Sequence, residues 1–330
     1  MLVTAPGRVN LIGDHTDYTG GLVLPMAIDL GTTVEGVVGG DEVRLTSEAL
    51  EGPATVPLDV TEPQDCTPAW ARYVAGVIAV TAPREGFTGR VSTTLPVGAG
   101  LSSSAALEVA LALALGFEGS ALELALACQR AEQLASGVPC GVMDQLASTA
   151  GVAGHALLID CTTLALTPVP IPEGVEVVVV PSGELRQLAE SAYAERRAQC
   201  EAAMAIVGPL TTATVEEVAM VSDPVVRARA LHVVTENQRV REMAAALTAG
   251  DPAACGPLMV ASHESLRADF EVSTPRLDAL VAELVATPGV YGARLTGAGF
   301  GGCVVTLTRP GALQSGWHVR AVNGARVVAR

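Results

Sequence analysis

The stretch Pro96-Val97-Gly98-Ala99-Gly100-Leu101-Ser102-Ser103-Ser104-Ala105-Ala106 joins a strand-like segment to a strongly helical one. Two glycines allow close approach to the backbone and three hydroxyls follow. The helix expected from about Ser104 opens with unpaired N–H groups at the positive end of its dipole. Such a turn reads as a cradle for phosphate or as a capped helix with a tight entry. What the chain lacks narrows the chemistry: all 20 of its basic residues are Arg. That excludes a G-x-x-x-x-G-K-[ST] phosphate loop, the strand lysine of protein kinases and every Schiff-base mechanism, because each needs a primary amine. A nucleotide held here is held by backbone, hydroxyls and metal. The missing lysine also fits an Ala-, Val-, Gly- and Arg-rich composition with no chemical meaning.

Three further stretches carry candidate chemistry. Between Pro6 and Gly21, polar groups crowd a turn, with Asp14, His15 and Asp17 inside four residues. They suit a polyhydroxylated ligand whose hydroxyls each need a partner, a metal ion, or a solvated Asx turn. Asp144 stands in a first helical turn, where acids ordinarily complement the dipole. Its neighbours Val142, Met143 and Leu146 are apolar and the Pro-Cys-Gly entry suggests a buried turn, so the carboxylate needs a partner such as Arg8. An Asp beside an Arg stays ionised and can take a hydroxyl proton. Glu132 reads as an exposed helix acid or as an oxygen ligand to Mg²⁺ alongside a loop hydroxyl. Last, Gly297-Ala298-Gly299-Phe300-Gly301-Gly302-Cys303 suggests tight packing or a second phosphate-side loop facing the first.

The elements that must position these residues follow an α+β pattern. Short strands are expected at 22–24, 32–38, 43–46 and 89–94, helices at 105–115, 121–136 and 142–149, and a strand at 155–159. The Pro-rich span 168–174 precedes the buried strand 175–180, and the domain boundary is placed there, giving domains 1–170 and 171–330. Beyond it come a long helix at 190–207, helices near 224–249 and 275–286, and strands at 291–296 and 303–308.

Length and composition bound the rest. At 330 residues, 49% hydrophobic and 17% charged, about two globular domains are expected. A net charge of −15 with no basic run repels nucleic acid and anionic membrane, so the expected partner is a small molecule. Seven scattered cysteines without a C-x-x-C pair point to reduced thiols. With no signal-like segment after Met1 and no apolar helix long enough to cross a bilayer, a soluble cytoplasmic protein is expected.

Taken together, the stretches resemble the galactokinases, within the GHMP family of small-molecule kinases that also includes homoserine, mevalonate and phosphomevalonate kinases. Gly7-Arg8-Val9-Asn10-Leu11-Ile12-Gly13-Asp14-His15-Thr16-Asp17-Tyr18 is similar to the galactokinase signature, residues 98–106 to the family ATP loop, and 295–303 to its third, glycine-rich motif. Residues 140–145, 191–200 and 262–273 follow the same pattern. The resemblance implies an N-terminal ribosomal-protein-like domain with a left-handed β-α-β unit, a C-terminal ferredoxin-like domain, and a site between them. It implies phosphorylation of the C1 hydroxyl of D-galactose by ATP with Mg²⁺. Asp144 then takes the role of base and Arg8 that of its partner. Asp14, His15, Thr16, Asp17, Gly141 and Tyr193 fall at sugar positions. Gly98, Ala99, Gly100, Leu101, Ser102, Ser103 and Ser104 fall at the nucleotide, and Ser104 and Glu132 at the metal. The alternatives are a same-fold kinase for an amino sugar or pentose, motivated by Asp14 where the family usually has Glu, and a non-catalytic sensor of galactose and ATP. The chain also departs in its short leading segment before the Arg8 motif, and in a span from Thr308 to Arg330 too short for the family's usual helix.

Overall fold

The computed structural model describes residues 1–96, 98–184 and 189–329. Val97 of the glycine-serine loop and Arg330 lie outside the described residues, as do the side chains of residues 189–191. The N-terminal half builds a sheet from β1 (Leu2–Asn10), β3 (Pro25–Val38), β4 (Glu42–Ser47), β5 (Ala54–Pro57) and β6 (Phe87–Thr93). The last described strand, β13 (Arg326–Ala329), returns to it, so the order is β13-β1-β3-β6-β4-β5. A short sheet of β2 (Leu22–Val23), β7 (His155–Asp160) and β8 (Ala165–Pro170) lies alongside. Helices α1 (Ala71–Thr81), α2 (Ser103–Ala114), α3 (Ala121–Ser136) and α4 (Met143–Ala150) complete this half.

The second half is an antiparallel sheet ordered β10-β11-β9-β12, from β9 (Glu176–Pro181), β10 (Val290–Thr296), β11 (Cys303–Thr308) and β12 (Trp317–Val319). Helices α5 (Ala189–Val207), α6 (Val215–Val218), α7 (Pro224–Thr248), α8 (Pro252–Ala268) and α9 (Pro275–Val285) flank it. The valine run of β9 shows why it reads as a continuous apolar strand. Val177 and Val179 enter the large core shared with the first sheet, while Val178 and Val180 enter a second core with Phe270 and α9 residues Leu277 and Leu280. Both faces are buried, so alternation disappears. No described helix is long and apolar enough to cross a membrane.

Two local features bring the chemistry together. In β1 the register against β3 shifts between Pro6 and Arg8, at Gly7. A Cβ there would lie 2.5 Å from the Leu101 carbonyl oxygen, so only glycine lets the glycine-serine loop rest on the strand. The Arg8 N–H then donates to that carbonyl at 3.2 Å, and Ser148 Oγ of α4 donates to the Pro6 carbonyl at 2.7 Å. Strand, loop and α4 are thereby fixed around Arg8. In α3, Ser120 and Glu123 form a reciprocal N-terminal cap and Gly137 closes the other end at φ 72°, which holds Glu132 one turn from the C-terminus.

Candidate active site

Arg8, buried in β1, donates from Nε to Asp144 Oδ1 at 2.7 Å and from Nη2 to Oδ2 at 2.8 Å, a two-pronged pair. Its Nη1 donates to the Gly100 carbonyl at 2.8 Å. The expected Arg–Asp partnership is therefore present, and it is tied to the loop. Ser102 adopts a left-handed backbone at φ 59° and donates from Oγ to Asp144 Oδ2 at 2.5 Å. A non-glycine residue held in that region marks local strain stored beside the carboxylate.

These residues line a cavity of about 890 Å³ with Asp14, His15, Asp17, Gly141 and Tyr193 on one wall and Gly98, Gly100, Ser103, Ser104 and Glu132 on another. Ser104 Oγ donates to Glu132 Oε1 at 2.7 Å, and Gln145 Nε2 donates to Oε2 at 2.5 Å. Burial, and then the charge of Asp144, push the Glu132 carboxyl up to about 7. Glu108, one turn beyond Ser104, is fully enclosed, and burial with Glu132 nearby holds its carboxyl well above the usual range. Of the expected loop residues, Ala99 and Leu101 do not line the cavity. Leu101 is 2% exposed in the hydrophobic core and anchors the loop through its side chain, while Ala99 packs against that core.

The opposite wall corrects several expectations. Thr16 is fully buried, and its one hydroxyl proton is shared between the carbonyls of Gly13 at 2.8 Å and Leu22 at 2.7 Å, so the hydroxyl shapes the turn and does not line the cavity. Asp14 borders the cavity, but Oδ1 accepts from the Gly297 N–H at 2.9 Å and Oδ2 meets Arg294 Nη1 at 2.6 Å, so its carboxylate is committed inward. His15 Nε2 lies 3.2 Å from the Ala298 carbonyl and Nδ1 lies 3.0 Å from the Tyr18 hydroxyl. The carbonyl can only accept, so Nε2 carries the proton. Burial, with His232 nearby, lowers the His15 pKa to about 3 and keeps the ring neutral. Asp14 and His15 point to different partners, so with Asp17 they do not converge on a metal.

Asp17 and Gly141 belong together. A Cβ on Gly141 would lie 1.8 Å from Asp17 Oδ2, so the glycine makes room for the carboxylate. Burial, then Asp144, push that carboxyl up to about 7. The Tyr193 ring stands 5.7 Å from His15 and 5.2 Å from Tyr18, and burial raises its phenol well above the ordinary value. Arg197 of α5 lies 5.9 Å over the Tyr18 ring and donates to the Pro139 carbonyl at 2.5 Å, bracing the turn that presents Gly141.

Sequence reasoning missed the support behind the turn. Glu236 of α7, fully buried, accepts from the Gly13 N–H at 3.0 Å and from Ser262 Oγ at 2.5 Å. Burial opposes its ionisation, yet His232, Arg294 and Arg239 hold its pKa down to about 2. His232 Nε2 meets the Asp14 carbonyl at 3.1 Å, and Asn237 accepts from the Leu22 N–H at 2.7 Å. Tyr73, Val138, Cys140 and Met143 also line the cavity without having been singled out. The sequence signal available was the polar run Thr235-Glu236-Asn237-Gln238-Arg239 inside a long helix.

Comparison with known proteins defines the family. The N-terminal and C-terminal domain models of GHMP kinases match residues 71–152 and 243–318. Mevalonate kinase from Methanococcus jannaschii superposes over 98% of each chain with a TM-score of 0.73 at 22% identity, a likeness of fold. The molecule thus has the mixed α+β, two-domain architecture of a GHMP kinase. Residues 1–36 match the galactokinase galactose-binding signature. Human galactokinase is 46% identical over 93% of this chain and 83% of its own length. Lactococcus lactis galactokinase, solved with galactose, superposes with a TM-score of 0.92 at 32% identity, covering 98% of this chain and 94% of that one. This chain belongs to the galactokinase family and is a sugar kinase; that assignment stands over the other-sugar and sensor alternatives.

Proposed function

We propose that the enzyme transfers the γ-phosphoryl group of ATP to the C1 hydroxyl of D-galactose, with Asp144 accepting the hydroxyl proton. The observation that carries the residue roles is the two-pronged Arg8–Asp144 pair, set between the serine wall and the Asp17–Gly141–Tyr193 wall of one cavity. Asp144 Oδ2 already accepts from Arg8 and Ser102, whereas Oδ1, among the described residues, accepts from Arg8 alone and keeps a lone pair for the incoming proton. The sugar oxygen forms its bond to the γ-phosphorus, the bond to the bridging oxygen breaks, and ADP leaves with those electrons. Positioning and charge stabilisation are the main demands of such a transfer, and Arg8 with the α2 N-terminus meets them without a lysine.

Ser104 and Glu132 fit Mg²⁺ by donor chemistry: two oxygens at the cavity edge, one a carboxylate whose raised pKa a dication would lower. Bound there, the ion would neutralise charge on the phosphates. The nucleotide phosphates would lie against Gly98, Gly100, Ser103 and Ser104, and the sugar against Asp17, Gly141, Tyr193 and His15. In this reading residues 1–170 and 171–330 are the two domains, with β13 crossing back to the first sheet. A panel of galactose, N-acetylgalactosamine, glucose, arabinose and mevalonate, read by Mg-ATP-dependent ADP release, tests the assignment. Turnover is expected with galactose; turnover of another substrate with none of galactose would overturn it.

Two variants probe the sugar wall. Gly141→Ala places a methyl group on the Asp17 carboxylate, and a displaced sugar contact is expected to raise galactose KM by about tenfold or more while ATP KM holds steady. An unchanged galactose KM would remove Asp17 from the sugar site. Because the Asp17 carboxyl titrates at about 7, it is protonated below that pH and becomes a pure acceptor above it. At saturating Mg-ATP, kcat/KM for galactose is therefore expected to rise with pH through a midpoint of about 7. In Asp17→Asn that rise should vanish.

A further inference from the structure

Two consecutive residues of the sugar turn grip two consecutive residues of the C-terminal glycine loop: Asp14 takes the Gly297 N–H at 2.9 Å and His15 meets the Ala298 carbonyl at 3.2 Å. Behind this double contact lies Arg294, fully buried in β10, with Nη1 at 2.6 Å from Asp14 Oδ2 and at 3.2 Å from the Leu11 carbonyl. Its Nε and Nη2 are buried with no hydrogen-bond partner among the described residues. A cation so placed, with donors left over, is costly to bury, and replacing such a pair by apolar residues is frequently neutral or stabilising. Stability alone therefore does not account for Arg294. Its single engaged nitrogen spans the carbonyl that leads into the sugar turn and the carboxylate that holds Gly297, and both Asp14 and Gly297 border the cavity.

We infer that Arg294 is a positioning residue, which latches the turn at residues 13–17 to the loop at residues 297–302 so that two walls of the cavity, one from each half of the chain, keep one spacing. The latch acts through Asp14, which explains why that carboxylate faces inward. Its consequence for sugar affinity rests on the proposed galactose site; the mechanical claim does not.

Arg294→Gln removes the charge, and the paired change Asp14→Asn with Arg294→Gln does so without stranding a buried carboxylate, keeping the test available if the single variant does not fold. Amide hydrogen exchange is read first, on the protein without substrates. Exchange in the peptides covering residues 11–18 and 295–302 is expected to accelerate together by about tenfold or more, while α3 stays unchanged. Galactose KM should then rise about tenfold with kcat within about threefold, and Arg294→Lys should restore part of the loss, since an ammonium can reach one of the two acceptors. A merely structural role would lower the folded, active fraction and leave KM unchanged. Unchanged exchange, or acceleration in only one segment, overturns the latch. If the wild-type enzyme fails to turn over galactose, the exchange result still decides the latch, and the failure falls on the substrate assignment.

Discussion

Asp144→Asn is expected to lower kcat by about a thousandfold or more while galactose still binds, because the substitution removes the carboxylate proposed to take the C1 proton and keeps its shape. The loss should appear in kcat and kcat/KM alike. The amide cannot accept at both positions now served by Arg8 and Ser102 and leaves the buried Arg8 cation without its counter-charge; with one hydrogen bond to Arg8 kept, the cost is about 3 kcal/mol, the lower end for a broken enclosed pair. The thermal midpoint should fall by only about a few degrees. Steady-state kinetics, a galactose titration and a melting curve on one preparation separate these effects. Near-wild-type turnover would leave the cavity with another base.

Arg8→Met is likewise expected to act on both stability and catalysis. Arg8 is 6% exposed at its side chain and Asp144 is 27% exposed. Removing the cation leaves a mostly buried carboxylate unpaired, which costs about 3–5 kcal/mol for enclosed pairs; with Asp144 partly open to water, the lower end applies. Over 330 residues, a loss of about 3 kcal/mol corresponds to a midpoint lower by roughly 4 °C. The loop loses the Nη1 contact to the Gly100 carbonyl as well, so ATP KM should rise. Because pair members act as a unit, the double variant with Asp144→Asn should be no slower than the slower single by more than about tenfold. Losses that multiply in full would mean the two residues act separately.

The centre of this site was legible in the chain. An acid in an apolar first helical turn has to find a partner, and Arg8 in a glycine-bracketed segment was the available one. Ser104 beside Glu132 followed from resemblance, and the hydrogen bond between them gives that placement a physical basis. The purposes of Asp14, Thr16 and Leu101 were not legible, because local sequence shows which side chains can bind a ligand and not which way they turn. Asp14 faces Arg294, which lies 280 residues away in sequence (294 − 14). Glu236 and His232 were hidden for the same reason: polar residues in a long helix read as a solvated face until a loop from the other half covers them.

The fold shows the same division. In the second half β9, α5, α7, α9, β10 and β11 were readable from apolar spacing, but α8, whose pattern Pro257 interrupts, and the short α6 and β12 were not, and neither was α1 in the first half. The Pro-rich span read as a linker is partly β8, whose Pro168 and Pro170 are tolerated because β8 is the edge strand beside β7. β1 read as a polar turn, yet its burial on both faces makes it a central strand that carries Arg8 inward. Nothing local in residues 326–329 announced their return to β1, a pairing that depends on the whole chain being folded.

Transfer to the C1 hydroxyl with Asp144 as base is tested by the phosphorus NMR spectrum of the product formed from galactose and Mg-ATP, recorded for the wild-type enzyme and for Asp144→Asn. A single new sugar phosphate on the anomeric oxygen is expected from the wild type, and none above background from the variant although it binds galactose. Phosphate on another hydroxyl, or anomeric phosphate formed at comparable rates by both proteins, would contradict the placement of the sugar's C1 hydroxyl against Asp144.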